Sequence, residues 1–193
     1  MLRIGLRPTI GLLAVFGLML VLVGCGQNAD LAYAEVSPAG LNVGDQIPAP
    51  TGDTILNVSG AISQTNAGEN LVFDMATLEK LGLVEYTIAD PWQNHEDVTY
   101  TGILMSDLLR YAGVSDTATS VHMVALDDYA VDVSVEDINK WPVMLATRTN
   151  GEYMDVANSG PTRIVFPFHS NPEINEDTYK VLMIWNLRDI QIR

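Results

Sequence analysis

Ala146-Thr147-Arg148-Thr149-Asn150-Gly151-Glu152-Tyr153-Met154-Asp155-Val156-Ala157-Asn158-Ser159-Gly160-Pro161-Thr162-Arg163-Ile164-Val165-Phe166-Pro167-Phe168 is the stretch that decides how the rest of the chain is read. Asn150-Gly151 joins two residues that tolerate positive φ, the requirement of a tight hairpin turn. The polar-apolar alternation on either side predicts two short, half-buried strands. Ser159-Gly160-Pro161 makes a second break, because Gly frees the backbone and Pro fixes it, before Arg163 leads into the apolar run Ile164 to Phe166. Arg148 and Arg163 therefore stand beside two sharp turns in a chain with only 10 Lys and Arg residues.

Working outward, Tyr100-Thr101-Gly102-Ile103-Leu104-Met105-Ser106-Asp107-Leu108-Leu109 gives a Gly, an apolar pair and a short helix ending in Leu-Leu. Trp185-Asn186-Leu187-Arg188-Asp189-Ile190 reads as a closing strand. Taken in order with Asn-Gly-Glu-x-Met and Gly-Pro-x-Arg, these segments resemble the oxidoreductase molybdopterin-binding domain of the sulfite oxidase superfamily, and several ordered matches are more specific than any one. The resemblance covers residues 54 to 193. It implies a sulfite-oxidase-type molybdopterin-binding-like fold.

The residues between these landmarks point the same way. Ile55 to Gly60 alternates as a strand. Asp74 is a good N-cap for a helix through Leu81 that Gly82 closes. Leu83 to Ala89 is a strand ended by Asp90-Pro91, and Val98 to Thr101 is a brief one. Ser106 is expected to cap the helix Asp107 to Ala112, with Gly113 stopping it. Ser120 to Leu126 and Tyr129 to Val133 pair around Asp127-Asp128, and Ser134 with Asp137 resembles a capping box for a helix to Lys140. A turn around Thr178 to Leu182 precedes a final strand, Asn186 to Ile192. Many short strands and a few short helices make an α+β, strand-rich domain. A length of 193 residues, 48% of them hydrophobic, suffices for one such domain and a tail.

The tail has its own logic. Arg3 and Arg7 precede an apolar run from Thr9 to Val23 and then Leu22-Val23-Gly24-Cys25, the layout of a secretory signal. Cys25 after Leu-Val-Gly resembles the bacterial lipobox. Residues 1–24 are thus expected to be a lipoprotein signal peptide and Cys25 the acylated first residue of the mature chain, anchoring it at the bacterial envelope on the periplasmic or extracytoplasmic face. An uncleaved anchor or a plain signal peptide is the alternative, and the run falls short of the roughly 20 apolar residues a bilayer span needs. Residues 25–53, with Ser37-Pro38-Ala39-Gly40 and Pro48-Ala49-Pro50, show no sustained period and are expected to be a tether, so that the domain proper is 54–193.

Charge excludes some partners. The whole chain carries a net −14, and loss of residues 1–24 removes two arginines and no acid, leaving −16. Nucleic acid, whose phosphates need a basic surface, is not an expected partner. Cys25 is the only cysteine, so no Cys-based metal site is expected in the mature protein.

In the family's enzymes, the resemblance implies, a cysteine thiolate after an early strand ligates molybdenum, and Arg, His and Lys hold the pterin phosphate. The corresponding region here, Thr87-Ile88-Ala89-Asp90-Pro91-Trp92-Gln93-Asn94-His95, has no Cys, and Ile184-Trp185 lacks the Lys expected before the closing strand. Asp90 is either a turn residue or an oxygen ligand for a hard metal. Arg148 and Arg163 either converge on an anion or pair with acids. Trp92, Trp141 and Trp185 either line a pocket or pack in the core. His95, His122 and His169 have no metal-binding spacing, and no Walker loop, Rossmann glycine signature or Gly-x-Ser-x-Gly elbow is present. The resemblance, in which the equivalent loops surround the cofactor, implies a ligand pocket of Asp90, Trp92 and His95 on one loop facing Arg148 and Arg163, with no catalytic residue or metal ligand assigned. Two functions follow. One is an envelope-anchored, ligand- or protein-binding module that takes a small anion or an envelope protein and expects no cofactor. The other is a molybdopterin-dependent oxidoreductase with a non-Cys ligand.

Overall fold

Turn residues cut the chain into short strands, and pairing between distant segments assembles them into two sheets. The computed structural model describes residues 32–193, so the expected signal segment, Cys25 and the first residues of the expected tether lie outside the described residues. The first sheet runs in the order β1 (Ala34–Ser37), β4 (Leu83–Asp90), β5 (Glu96–Leu104), β8 (Met144–Thr149) and β10 (Arg163–Val165), with β9 (Glu152–Tyr153) also on β8, every pair antiparallel. The second is β3 (Leu71–Phe73), β2 (Leu56–Gly60), β11 (Leu187–Ile192), β6 (Ser120–Ala125) and β7 (Ala130–Ser134). In it β2 and β11 run parallel, so the last strand is gripped by one of the first. This is the expected strand-rich α+β architecture.

Period-2 alternation decides which side chains face inward. In β6, Val121, Met123 and Ala125 are buried, while Ser120, His122 and Val124 are half-buried. Strand β8 and its neighbour β10, at the end of the sheet, instead read as continuous apolar runs because both their faces are covered: Met144, Leu145, Ala146, Ile164 and Val165 are fully buried. Asn150 and Gly151 both adopt positive φ (51° and 86°) and join β8 to β9, as a two-residue hairpin requires. Gly102 sits where β5 and β8 shift register. A Cβ there would lie 2.6 Å from Ala146 Cα and closer still to the Leu145 carbonyl oxygen, so no larger residue fits.

The short helices follow their caps. Asp74 caps α1 (Met75–Leu78), which tightens into a 3-10 turn before Gly82, and Ser134 Oγ accepts from Asp137 N at 3.0 Å to start α3 (Val135–Lys140). Gly113, at φ 62°, ends α2 (Met105–Ala112) in the left-handed conformation. Ser106 does not cap α2: the helix begins earlier, and the Met105 N–H is met by the Val143 carbonyl at 2.8 Å. β5 is also longer than its apolar pattern, since its exposed first residues are held by backbone pairing to β4.

The larger correction concerns the tether. Residues 34–53 are laid along the domain: β1 pairs with β4, Tyr111 donates to the Leu41 carbonyl at 2.8 Å, and Ile47 is 1% exposed. Asp74 Oδ2 accepts the Thr51 and Gly52 N–H groups at 2.9 and 2.8 Å. The structured domain therefore begins about twenty residues before the expected boundary at 54, anchored by hydrogen bonds, buried Ile47 and half-buried Leu41 rather than by a hydrophobic stripe.

Candidate functional site

The end of β4 and the turn after it bring a carboxylate into the interior. Asp90 is fully buried, and its backbone carbonyl closes the turn by accepting from Gln93 N and His95 N at 3.0 and 2.9 Å. Its side chain accepts from Trp92 N at 2.8 Å through Oδ1, and from the Tyr100 hydroxyl through Oδ2. Tyr100, on the facing strand β5, also accepts from Arg163 Nη1 at 3.0 Å. Arg163 Nη2 lies 3.6 Å from Asp90 Oδ2, which is ion-pair distance without a hydrogen bond. Burial raises the Tyr100 hydroxyl well above the usual phenol range, with the Arg163 charge opposing and Asp90 adding to the rise. The phenol thus stays neutral and donates to the carboxylate.

Arg163 is 3% exposed, and its Nε and Nη2 have no hydrogen-bond acceptor. Its guanidinium lies 5.0 Å from the Tyr100 ring centroid and 5.6 Å from that of Trp185. It borders a cleft of about 450 Å³ that Trp92, Gln93, Tyr153, Asn158 and Trp185 help to line. This is the size of a small-molecule pocket. Leaving charged donors buried and unpaired costs about 1–3 kcal/mol each, so an acceptor brought to them is favoured.

Of the residues expected at the pocket, Asp90, Trp92 and Arg163 come together. His95 does not: it points away, largely exposed, with Nε2 3.8 Å from Glu176. Arg148 is engaged elsewhere, 2.8 Å from Glu79, 2.6 Å from the Tyr153 hydroxyl and 4.3 Å from the Tyr153 ring centroid, so it braces a cleft wall and does not reach into the cleft. Asp90 is no mere turn residue, since its buried carboxylate is held by the Trp92 N–H and the buried Tyr100 hydroxyl. Trp92 and Trp185 line the cleft as one alternative had it, whereas Trp141 packs in the core with its Nε1 3.3 Å from Glu173. Tyr100, Gln93 and Tyr153 were not singled out beforehand. No local pattern suggests Tyr100, which pairs with Tyr86 in the β4–β5 register and meets Asp90 only through its hydroxyl.

The donor set can be compared with what a molybdenum pterin asks for. No cysteine occurs among the described residues, whose sequence starts after Cys25. The Asp90 oxygens are taken by Trp92, Tyr100 and the Arg163 charge, and Arg163 is the one cation on the cleft wall. Among the described residues no group of three or more His, Cys, Asp or Glu is placed to hold a metal ion. The residues present do not fit a thiolate-ligated molybdenum.

Comparison with known proteins gives a family and a fold. The model of the oxidoreductase molybdopterin binding domain matches residues 68–171, more than half of the chain. Among solved structures, the sulfane dehydrogenase SoxCD of Paracoccus pantotrophus superposes with a TM-score of 0.53 at 20% identity, over 71% of this chain and 37% of that one. The chain therefore spans little more than a third of that protein, and at this identity the likeness speaks to the fold. No curated protein matches.

Proposed function

Since the chain belongs to the oxidoreductase molybdopterin binding domain family, its cleft is where family chemistry would be sought, and we propose that here it binds a small anion without a catalytic molybdenum centre. The observation that carries this reading is Arg163, a buried guanidinium with two donors lacking acceptors at the edge of a 450 Å³ cleft. A planar fork of this kind suits a carboxylate or an inorganic oxyanion held by two parallel hydrogen bonds. The unmatched donors lie beside the Trp185 ring, so a ligand reaches them by moving that half-exposed side chain. An acidic chain of net −14 repels anions at long range, and a buried local cation offsets this within a Debye length of about 10 Å. The domain works at the bacterial envelope, held there by acylated Cys25.

Thermal unfolding with sulfate, phosphate, nitrate and acetate tests the pocket. One of these should stabilise the fold saturably, by about 2.7 kcal/mol at a hundredfold excess over Kd. That corresponds to about 5–10 °C for a domain of this size. Arg163→Lys, which keeps the charge and loses the fork, should weaken the effect. Four flat titrations would contradict the reading.

The second reading, a molybdopterin-dependent oxidoreductase, is supported by the family match and by the fold it shares with a dehydrogenase. It requires a metal ligand other than the engaged Asp90.

A further inference from the structure

Trp92 and Trp185 also border a second cavity, of about 340 Å³, whose wall contains neither Arg163 nor Gln93. Tyr129 and Asp127, from the β6–β7 turn, and Lys180 and Val181 also line it. Its three aromatic residues are unusually open: Trp92 is 46% exposed, Tyr129 49% and Trp185 40%. Trp92 and Tyr129 are also fixed in place. Trp92 Nε1 donates to the Lys180 carbonyl and the Tyr129 hydroxyl to the neighbouring Val181 carbonyl, each at 3.0 Å. Trp92 and Trp185 meet edge to face, at 5.8 Å and 87°, which makes two walls of a corner. The polar tips of Trp92 and Tyr129 are thus occupied, and what remains for a ligand is ring surface. Large aromatic groups kept rigid and wet forgo burial, which is the pattern of a prepared recognition surface.

The charges around the cavity decide what it recognises. Asp127 brings a carboxylate to the wall and uses one oxygen for Tyr129 N at 3.1 Å. Lys180, on the wall, is paired with Asp177 at 2.7 Å, and Arg188 nearby with Asp128 and Asp189 at 3.3 and 2.6 Å. The whole chain is strongly acidic. An anion is repelled here. A bare metal ion finds too few oxygens, and a primary ammonium would give up strong hydration for a single carboxylate. A methylated ammonium, weakly hydrated and large, gains from ring faces and from Asp127 together. We propose that this cavity binds a quaternary ammonium group carried by a small soluble molecule. The site goes beyond the Arg163 cleft and does not depend on it.

The test uses the full chain, titrated with choline and with its neutral carbon isostere 3,3-dimethylbutan-1-ol, followed by calorimetry and tryptophan fluorescence. Shape is the same and only the charge differs, so choline should bind about tenfold more tightly if the rings and Asp127 recognise the cation. Tyr129→Phe keeps the ring but loses the hydroxyl bond to the Val181 carbonyl, so it should bind choline more weakly than the wild type and more tightly than Tyr129→Leu. Tyr129→Leu should lose about fivefold, and Asp127→Asn should weaken choline while leaving the isostere unchanged. Unchanged melting curves for these exposed positions accompany each measurement. Equal binding of choline and the isostere, no binding of choline, or wild-type affinity in Tyr129→Leu would overturn the proposal.

Discussion

Asp90 is a buried carboxylate that ties together two strands and the turn after β4. Its carboxylate accepts from Trp92 N and the Tyr100 hydroxyl and faces the Arg163 guanidinium, all in the interior. The two kinds of truncation there should differ. Tyr100→Phe removes one hydrogen bond from each charged neighbour and should cost about 1–3 kcal/mol. Asp90→Ala leaves Arg163 as an unmatched buried charge and should cost about 3–5 kcal/mol. Urea denaturation of the two variants and of the double variant measures this, and the double variant should cost less than the sum because the residues share one network. Equal, small losses would mean that the cluster is a bystander. The sequence offered Asp90 as a turn residue before Pro91, and so it is, by its backbone. The role of its side chain was hidden because its partner Tyr100 binds Arg163 across 63 residues of chain, a pairing that no local pattern records.

At the scale of elements, the segment from β1 to Gly52 is the least expected part of the structure. β1 has three exposed residues and one half-buried, so it shows no apolar period, and backbone pairing to β4 holds it instead. A chain starting at residue 54 would lose that pairing, the buried Ile47 and two N–H groups held by Asp74. Such a chain should melt well below the longer domain, and an unchanged Tm would show that the segment is an accessory. Asp74 also sets an acid limit. The Thr77 hydroxyl foremost, then the Gly52, Thr77 and Thr51 backbone donors, hold its carboxyl well below the usual carboxylate range. Because the folded value is depressed, the stabilisation is complete above the unfolded value of about 3.9 and fades as pH falls below it. Asp74→Asn should flatten this loss between about pH 4 and pH 2. Elements with a strong local signature, the Asn150-Gly151 hairpin, the Asp74 cap and the Gly113 stop, were legible; those made by long-range backbone pairing alone were not.

For the whole molecule, family and fold agree while the cleft's donors diverge from the thiolate chemistry that the resemblance implies. The sheet order places Asp90, Tyr100 and Arg163 on β4, β5 and β10, with β8 lying between the last two. The loop after β4 carries no cysteine, and its buried carboxylate, Asp90, is already satisfied by its neighbours. The absence of Cys from the loop was plain in the sequence. That the Asp90 carboxylate is closed off by Tyr100 and Arg163 was not, because burial and pairing are properties of the assembled sheet. The most direct test is the molybdenum and pterin content of the full-length protein isolated from its own molybdenum-replete cells. The account predicts far less than one molybdenum per chain and no releasable pterin. Near one molybdenum per chain, with pterin released alongside it, would contradict it.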